Sequence, residues 1–389
     1  MPEFAGLTFK NPYVVASSPL TARVKWLRAA ADAGAAAVST KLTFIKQPFY
    51  GKLRMYNNPR EGSIVCHDRR LDLDEGVRLV EEGKRHTGDM LYFCNITHAG
   101  DDLESWAHIA RSLENAGADL IEANFICPNL SLTARSLGQS GPSGGAVPGQ
   151  YPPLAEEVTR ALKESVDIPV VCKLTPNVTS LVDVALACER GGADGICVAG
   201  AQLSLPPMDI YHPERVYPLL EGASMGSLGG PAARLMGFAM VAQLARRCRI
   251  PIIGGGGVET WEHAVQMMMW GATLFTVCTE LMWHGWESIG KTLRGMEDFM
   301  AAEGYDGYEA LIGRSLGQFC AAEDLRTTTG AAIVDEELCI GCGACLQPGH
   351  CDAVTLIDGV ACVDAEACLG CGICVALCPV EALSMSSSS

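Results

Sequence analysis

Eight cysteines near the end of the chain are spaced as Cys339-x2-Cys342-x2-Cys345-x5-Cys351 and Cys368-x2-Cys371-x2-Cys374-x3-Cys378-Pro379. Three closely spaced thiolates grip one four-iron cubane, and in a two-cluster arrangement the fourth cysteine of each run ligates the other cluster. The second run has the bacterial ferredoxin spacing; the first has two extra residues before its fourth cysteine and lacks the proline. Cys339, Cys342, Cys345 and Cys378 are thus expected to hold one [4Fe-4S] cluster, and Cys351, Cys368, Cys371 and Cys374 a second. Structural zinc is the alternative, but it rarely uses eight cysteines in two such quartets. Cys362 belongs to neither quartet and reads as a small buried hydrophobe. Two clusters carry single electrons and do no bond chemistry. The rest of the chain should therefore hold a group that exchanges one electron with a cluster and two with an organic substrate, as a flavin does and a nicotinamide does not. No G-x-G-x-x-G occurs, which favours FMN over FAD and an external electron partner over bound NAD.

Something must position that group. In the first 330 residues, eight short runs that are apolar throughout alternate with helical patterns: 13–18, 36–42, 91–97, 119–126, 169–175, 195–201, 251–257 and 273–279. Strands buried on both faces look like this. Eight strand-and-helix units in about 300 residues predict a (β/α)8 TIM barrel; an open doubly wound sheet is the alternative, since periodicity does not show closure. A barrel places function at the carboxyl ends of its strands, where Lys41, Asn95, Asn124, Cys127, Lys173 and Thr279 fall. Two long connections, 128–152 and 202–230, read as lids or binding segments. Glycines Gly254 to Gly257 after the seventh strand, Gly229-Gly230 before the following helix, and the eighth strand's end at Cys278-Thr279 stand where barrels hold phosphate.

Composition separates the two parts. The chain has 389 residues, 48% hydrophobic, and 45 acids against 29 Lys and Arg give a net charge of −16. Residues 331–389 carry eight of those acids and no Lys or Arg. The expected domains are a barrel over 1–326 and a small α+β bacterial-ferredoxin-like domain over 333–385, joined by Thr327 to Ala332. An acidic protein is a poor partner for nucleic acid. With no membrane-length apolar run and no signal-peptide pattern at the start, a cytoplasmic protein without membrane contact is expected. The acidic tail predicts a basic docking surface on an electron partner.

The residues also resemble a known family, the dihydroorotate and dihydropyrimidine dehydrogenase flavoproteins. The likeness rests on Asn11-Pro12, Ala16-Ser17-Ser18, Thr40-Lys41, Asn124-x-x-Cys127-Pro128-Asn129, Lys173, Gly229-Gly230-Pro231-Ala232, Ile253-Gly254-x-Gly256-Gly257 and Cys278-Thr279. The ferredoxin-like tail narrows it to the catalytic subunits of bacterial dihydropyrimidine dehydrogenases. The resemblance implies that Ala16 and Ser17 line FMN, that Lys41 and Lys173 contact its ring, and that Gly229, Gly230, Gly256, Gly257, Cys278 and Thr279 help hold it. Cys127 would be the acid or base, and Asn124 and Asn129 would bind substrate, Asn124 also reaching the flavin. For Lys41 a snorkelling stem is the alternative. The implied activity is reduction or oxidation of a carbon–carbon bond beside a carbonyl in a small ring. Electrons would pass to or from an NAD(P)H/FAD subunit or a ferredoxin, in a homodimer or hetero-oligomer. Two departures stand out: strand six ends Val198-Ala199-Gly200-Ala201 where pyrimidine binders carry Asn-Ser or Asn-Thr, and Asn57 to Arg70 offers no recognisable asparagine counterpart. The alternatives are a non-pyrimidine conjugated carbonyl substrate or an electron-relay subunit of a larger complex.

Overall fold

The computed structural model describes residues 1–47, 51–127, 134–138, 144–198, 200–347 and 351–386. It divides into two units, Met1–Phe319 and Cys320–Ser389.

In the first unit the eight apolar runs become parallel strands of one closed barrel. They are β1 (Tyr13–Val15), β2 (Ala37–Ser39), β3 (Leu91–Ile96), β4 (Leu120–Phe125), β5 (Val170–Leu174), β6 (Gly195–Val198), β7 (Ile252–Gly254) and β8 (Leu274–Val277). Each pairs with its sequence neighbour, and β8 closes on β1 through Phe275 beside Tyr13. Closure removes the open-sheet alternative. Because side chains alternate along a strand, the interior can be read in steps of two. Its lower layer takes one apolar residue from every strand: Val14, Ala37, Phe93, Leu120, Val171, Cys197, Ile253 and Leu274, all buried in one cluster and capped by Phe4 and Phe9 of an N-terminal hairpin. One step higher the same faces present Ala16, Ser39, Asn95, Glu122, Lys173 and Thr276, and a further step brings Lys41, Asn124 and Cys278. The barrel is thus an apolar plug below and polar above. The opposite faces pack on an outer ring of helices, among them Leu103–Asn115, Pro152–Ser165 and Leu181–Arg190.

The connection between β2 and β3 holds a hairpin, Arg54–Asn58 against Gly62–His67. Its turn is closed by Asn58 Oδ1 accepting from the Arg60 amide at 2.9 Å. Gly62 there has φ +116°, and a Cβ on it would meet the Gly229 carbonyl at 2.2 Å. The hairpin joins Gly226–Gly229 and Gln202–Ser204 in a four-stranded antiparallel sheet. Part of the expected 202–230 binding segment is therefore ordered sheet.

The second unit is small. Ala332–Val334 pairs with Leu383–Met385, and Val354–Ile357 pairs with Val360–Val363. Its core consists of Ala332, Cys345, Ala361, Cys374 and Leu383. Cys362 is exposed, contrary to the sequence expectation: alternation along Val360–Val363 turns Ala361 inward and Cys362 out. Of the other scattered cysteines, Cys320 is exposed as well, while Cys94, Cys172, Cys188 and Cys197 are buried as packing residues.

Candidate active site and cysteine cavities

The polar upper interior of the barrel opens into a cavity with about 1120 Å³ of space free of atoms, open mouth included. Ala16, Ser17, Lys41, Asn124, Cys127, Lys173, Gly229, Gly230, Gly256, Gly257, Cys278 and Thr279, all singled out from sequence, line this one cavity. Asn129 lies outside the described residues.

Each side chain is aimed by its strand. Lys173 is inside the barrel wall on β5, its register partner being Asn124 on β4. The Lys173 Nζ stands 3.3 Å from Glu122 Oε2, with both side chains at 7% exposure or less. Burial is the largest single influence and works against the ammonium, but the Glu122 charge and hydrogen bond together with the Cys197 and Cys127 thiols overcome it and raise the Lys173 pKa above its ordinary value. Lys41, just past β2, donates to Asp68 Oδ2, and Arg70 Nη1 reaches the same oxygen at 3.1 Å. Here burial, helped by the Arg70 charge, prevails over Asp68 and lowers the Lys41 pKa to about 8. Lys41 is thus an interior ammonium, not a snorkelling stem. Asn124 Oδ1 accepts from the amides of Ile126 at 2.9 Å and Cys127 at 2.7 Å, fixing the chain where β4 ends. Cys127 is half-buried and bears electrostatically on both lysines. Burial pushes the Cys278 thiol up, against the charges of Lys173 and Lys41.

Elsewhere in the cavity lining, glycine segments meet with no room for side chains. A Cβ on Gly257 (φ +69°) would lie 2.5 Å from the Gly230 carbonyl, and one on Gly256 (φ +92°) 3.0 Å from the Gly200 amide nitrogen. Backbone this close, on glycines with no side chain to stand in the way, makes a cradle that suits an anionic group such as a phosphate. Arg234 and Glu259 pair beside it at 2.9 Å.

In the second unit, one cavity is lined by Cys339, Cys342, Cys345 and Cys378, and another by Cys351, Cys368, Cys371 and Cys374. These are the two quartets expected from spacing, including the exchange of the fourth cysteine. Among the described residues no three His, Cys, Asp or Glu side chains converge tightly enough for a single ion; each set of four thiols surrounds a space instead. Gly341 and Gly343 of the first run and Gly370 and Gly372 of the second all have φ between 64° and 72°, so both loops wrap inward in the same way. Backbone amides already point at sulfur: Ala361 to Cys339 at 3.4 Å, Gly370 to Cys368 at 3.5 Å and Ala382 to Cys378 at 3.2 Å. Backbone amides, that of Val380 first and then those of Ala382, Leu383 and Glu381, hold the Cys378 pKa below its usual value, favouring the thiolate that iron requires.

A family profile described as Dihydroorotate dehydrogenase matches residues 2–300, more than three quarters of the chain. The chain belongs to this family. A second profile, 4Fe-4S binding domain, matches residues 361–384, which include Cys368, Cys371, Cys374 and Cys378. The NAD-dependent dihydropyrimidine dehydrogenase subunit PreA of Escherichia coli (strain K12) is 28% identical over 88% of this chain and 83% of its own. The dihydroorotate dehydrogenase B (NAD(+)) catalytic subunit of Pyrococcus furiosus is 29% identical over 80% and 97%. That of Methanothermobacter thermautotrophicus is 31% identical over 79% and 95%. This dihydroorotate dehydrogenase family member is a flavin oxidoreductase of the class acting on CH–CH groups, with an added iron–sulfur domain. No helix among its described residues is long and apolar enough to cross a membrane.

Sequence reasoning missed several groups. Asp68, Arg70, Ser63 and Val65 line the cavity, all from the 57–70 stretch that offered no counterpart. Glu122, fully buried beside Lys173, also went unnoticed; an acid in the interior of the apolar run DLIEANFI was the available signal. Glu259 and Glu280 line the cavity too.

Proposed function

We propose that this protein reduces or oxidises a carbon–carbon bond beside a carbonyl in a small cyclic substrate, using FMN in the barrel and two [4Fe-4S] clusters in the tail. The observation that carries this reading is that two buried lysines, a half-buried thiol and a glycine cradle line the same cavity. The cradle suits the FMN phosphate. Ala16 and Ser17 line one side, Cys278 and Thr279 stand near the cradle, and Lys41 and Lys173 meet the ring, where fixed ammonium groups favour the negative charge of a reduced flavin. Bound FMN supplies hydride transfer to or from carbon and single-electron exchange with a cluster. Cys127 moves the proton at the neighbouring carbon. A thiol with an ordinary pKa near 8.5 can serve in either direction close to neutral pH. Asn124 fixes the backbone under Cys127, and Asn129 of the following loop contacts substrate. The acidic cluster domain meets an electron partner, an NAD(P)H/FAD subunit or a ferredoxin, in the cytoplasm.

For the substrate, a pyrimidine-like ring follows from the relatives. A second reading, another conjugated carbonyl compound, is favoured by the Lys41–Asp68–Arg70 cluster at the cavity wall. A site built from ion pairs recognises other groups than one built from asparagine amides. Anaerobically reduced protein mixed with uracil, thymine, orotate and a panel of enones separates the two. A pyrimidine that reoxidises the flavin supports the first reading. Reoxidation by enones alone supports the second, and no reoxidation by any compound contradicts both.

A further inference from the structure

The barrel interior contains a carboxylate that the proposed chemistry does not use. Glu122 lies on β4 with no exposed surface, and three donors from three other strands converge on its Oε2: Ser39 Oγ of β2, Asn95 Nδ2 of β3 and Lys173 Nζ of β5. Its other oxygen, Oε1, has no hydrogen-bond partner among the described residues. Asn95 is itself held from the far side, its Oδ1 accepting from Asn124 Nδ2 at 2.9 Å, and Asn124 is fixed by the amides of Ile126 and Cys127. The carboxylate is held in place from three sides, and among the described residues Lys173 is the cation paired with it.

We propose that Glu122 is a positioning residue that keeps Lys173 in its charged form at the cavity floor and thereby keeps the pH dependence of the bound flavin's potential on a single slope. A buried ammonium without a counter-charge tends to shed its proton, and a neutral amine at the flavin edge no longer favours the reduced anion. Among the described residues, the thiols Cys127, Cys197 and Cys278 also interact electrostatically with Lys173. Burial raises the pKa of Cys197 and of Cys278, so neither replaces Glu122 as a counter-ion. Lys41 is coupled to a different carboxylate, Asp68.

The inference rests on the reading that Lys173 touches the flavin, and the test separates the two. FMN-loaded full-length wild type, Glu122→Gln and Lys173→Met are titrated spectroelectrochemically, with the midpoint potential of the flavin followed from about pH 6 to about pH 9, a range in which an ordinary lysine stays charged. FMN content is measured alongside. Wild type is expected to follow one slope. Glu122→Gln is expected to follow it at the acid end, then to break below it once Lys173 loses its proton. Lys173→Met should lie below wild type throughout, without that break. A Glu122→Gln curve superimposed on wild type, with Lys173→Met displaced, overturns the role of Glu122 and leaves the flavin contact standing. A Lys173→Met curve superimposed on wild type overturns both. Should Glu122→Gln fail to fold, Glu122→Asp keeps the charge but withdraws it from Nζ; a break that appears within this range supports the role, and none contradicts it.

Discussion

Lys41 and Lys173 are alike in sequence, each at the polar end of an apolar run, yet their surroundings push them in opposite directions. Among the described residues Lys173 pairs with one carboxylate that no other cation shares, while Lys41 shares Asp68 with Arg70. With a folded-state pKa of about 8 against an ordinary 10.5, the unfolded chain binds the Lys41 proton more tightly. Burying the ammonium thus weighs against folding below pH 8, and the penalty fades as pH rises toward 10.5. FMN-free Lys41→Met, in which Asp68 keeps Arg70, is expected to be more stable than wild type at pH 7 by at most about 3 kcal/mol, at roughly 1.4 kcal/mol per pKa unit. Urea denaturation at pH 7 and pH 10 should show the gap and then its narrowing; equal stability at pH 7 contradicts the assignment. The lysines themselves were legible because a cation in an apolar strand demands a reason. Their partners were not, since Asp68 lies 27 residues from Lys41 and Glu122 lies 51 from Lys173, separations that only the closed barrel brings together.

At the scale of elements, the barrel strands could be read because helices cover one face and the plug fills the other, leaving little polar punctuation below the site. The hairpin over 54–67 escaped because its partner strand, Gly226–Gly229, comes from a distant connection and its Arg54–Asn58 strand is only half-buried. The glycine cradle is the element most exposed to a small change. Gly257→Ala would require a residue with a side chain at φ +69° and a contact of 2.5 Å with the Gly230 carbonyl, so the segments must part. Purified Gly257→Ala is expected to lose most of its FMN while keeping its iron, measured as flavin released per iron atom; wild-type flavin content would contradict a phosphate role for this loop.

For the whole molecule, the uneven charge and the uneven cysteines describe the same division of labour: a barrel that does bond chemistry and an acidic tail that handles electrons. Cysteine spacing announced an iron–sulfur domain, because a cubane fixes the intervals between its ligands. The substrate was not legible, since the ion-pair cluster that departs from an amide-lined site comes from residues with no motif. Two clusters require about eight iron and eight acid-labile sulfide per chain, and one requires about half that. Anaerobically purified protein should give the larger number, and Cys378→Ala should lower it. The central claim is that one cavity joins flavin chemistry to a thiol proton donor. It is tested most directly by stopped-flow reoxidation of the reduced flavin by a reactive substrate, comparing wild type with Cys127→Ser at equal FMN content. The expected result is a rate about 10² to 10⁴ lower in the variant, the range for loss of a positioned acid or base, with unchanged reduction of the flavin through the clusters. Equal reoxidation rates in the two proteins would contradict it.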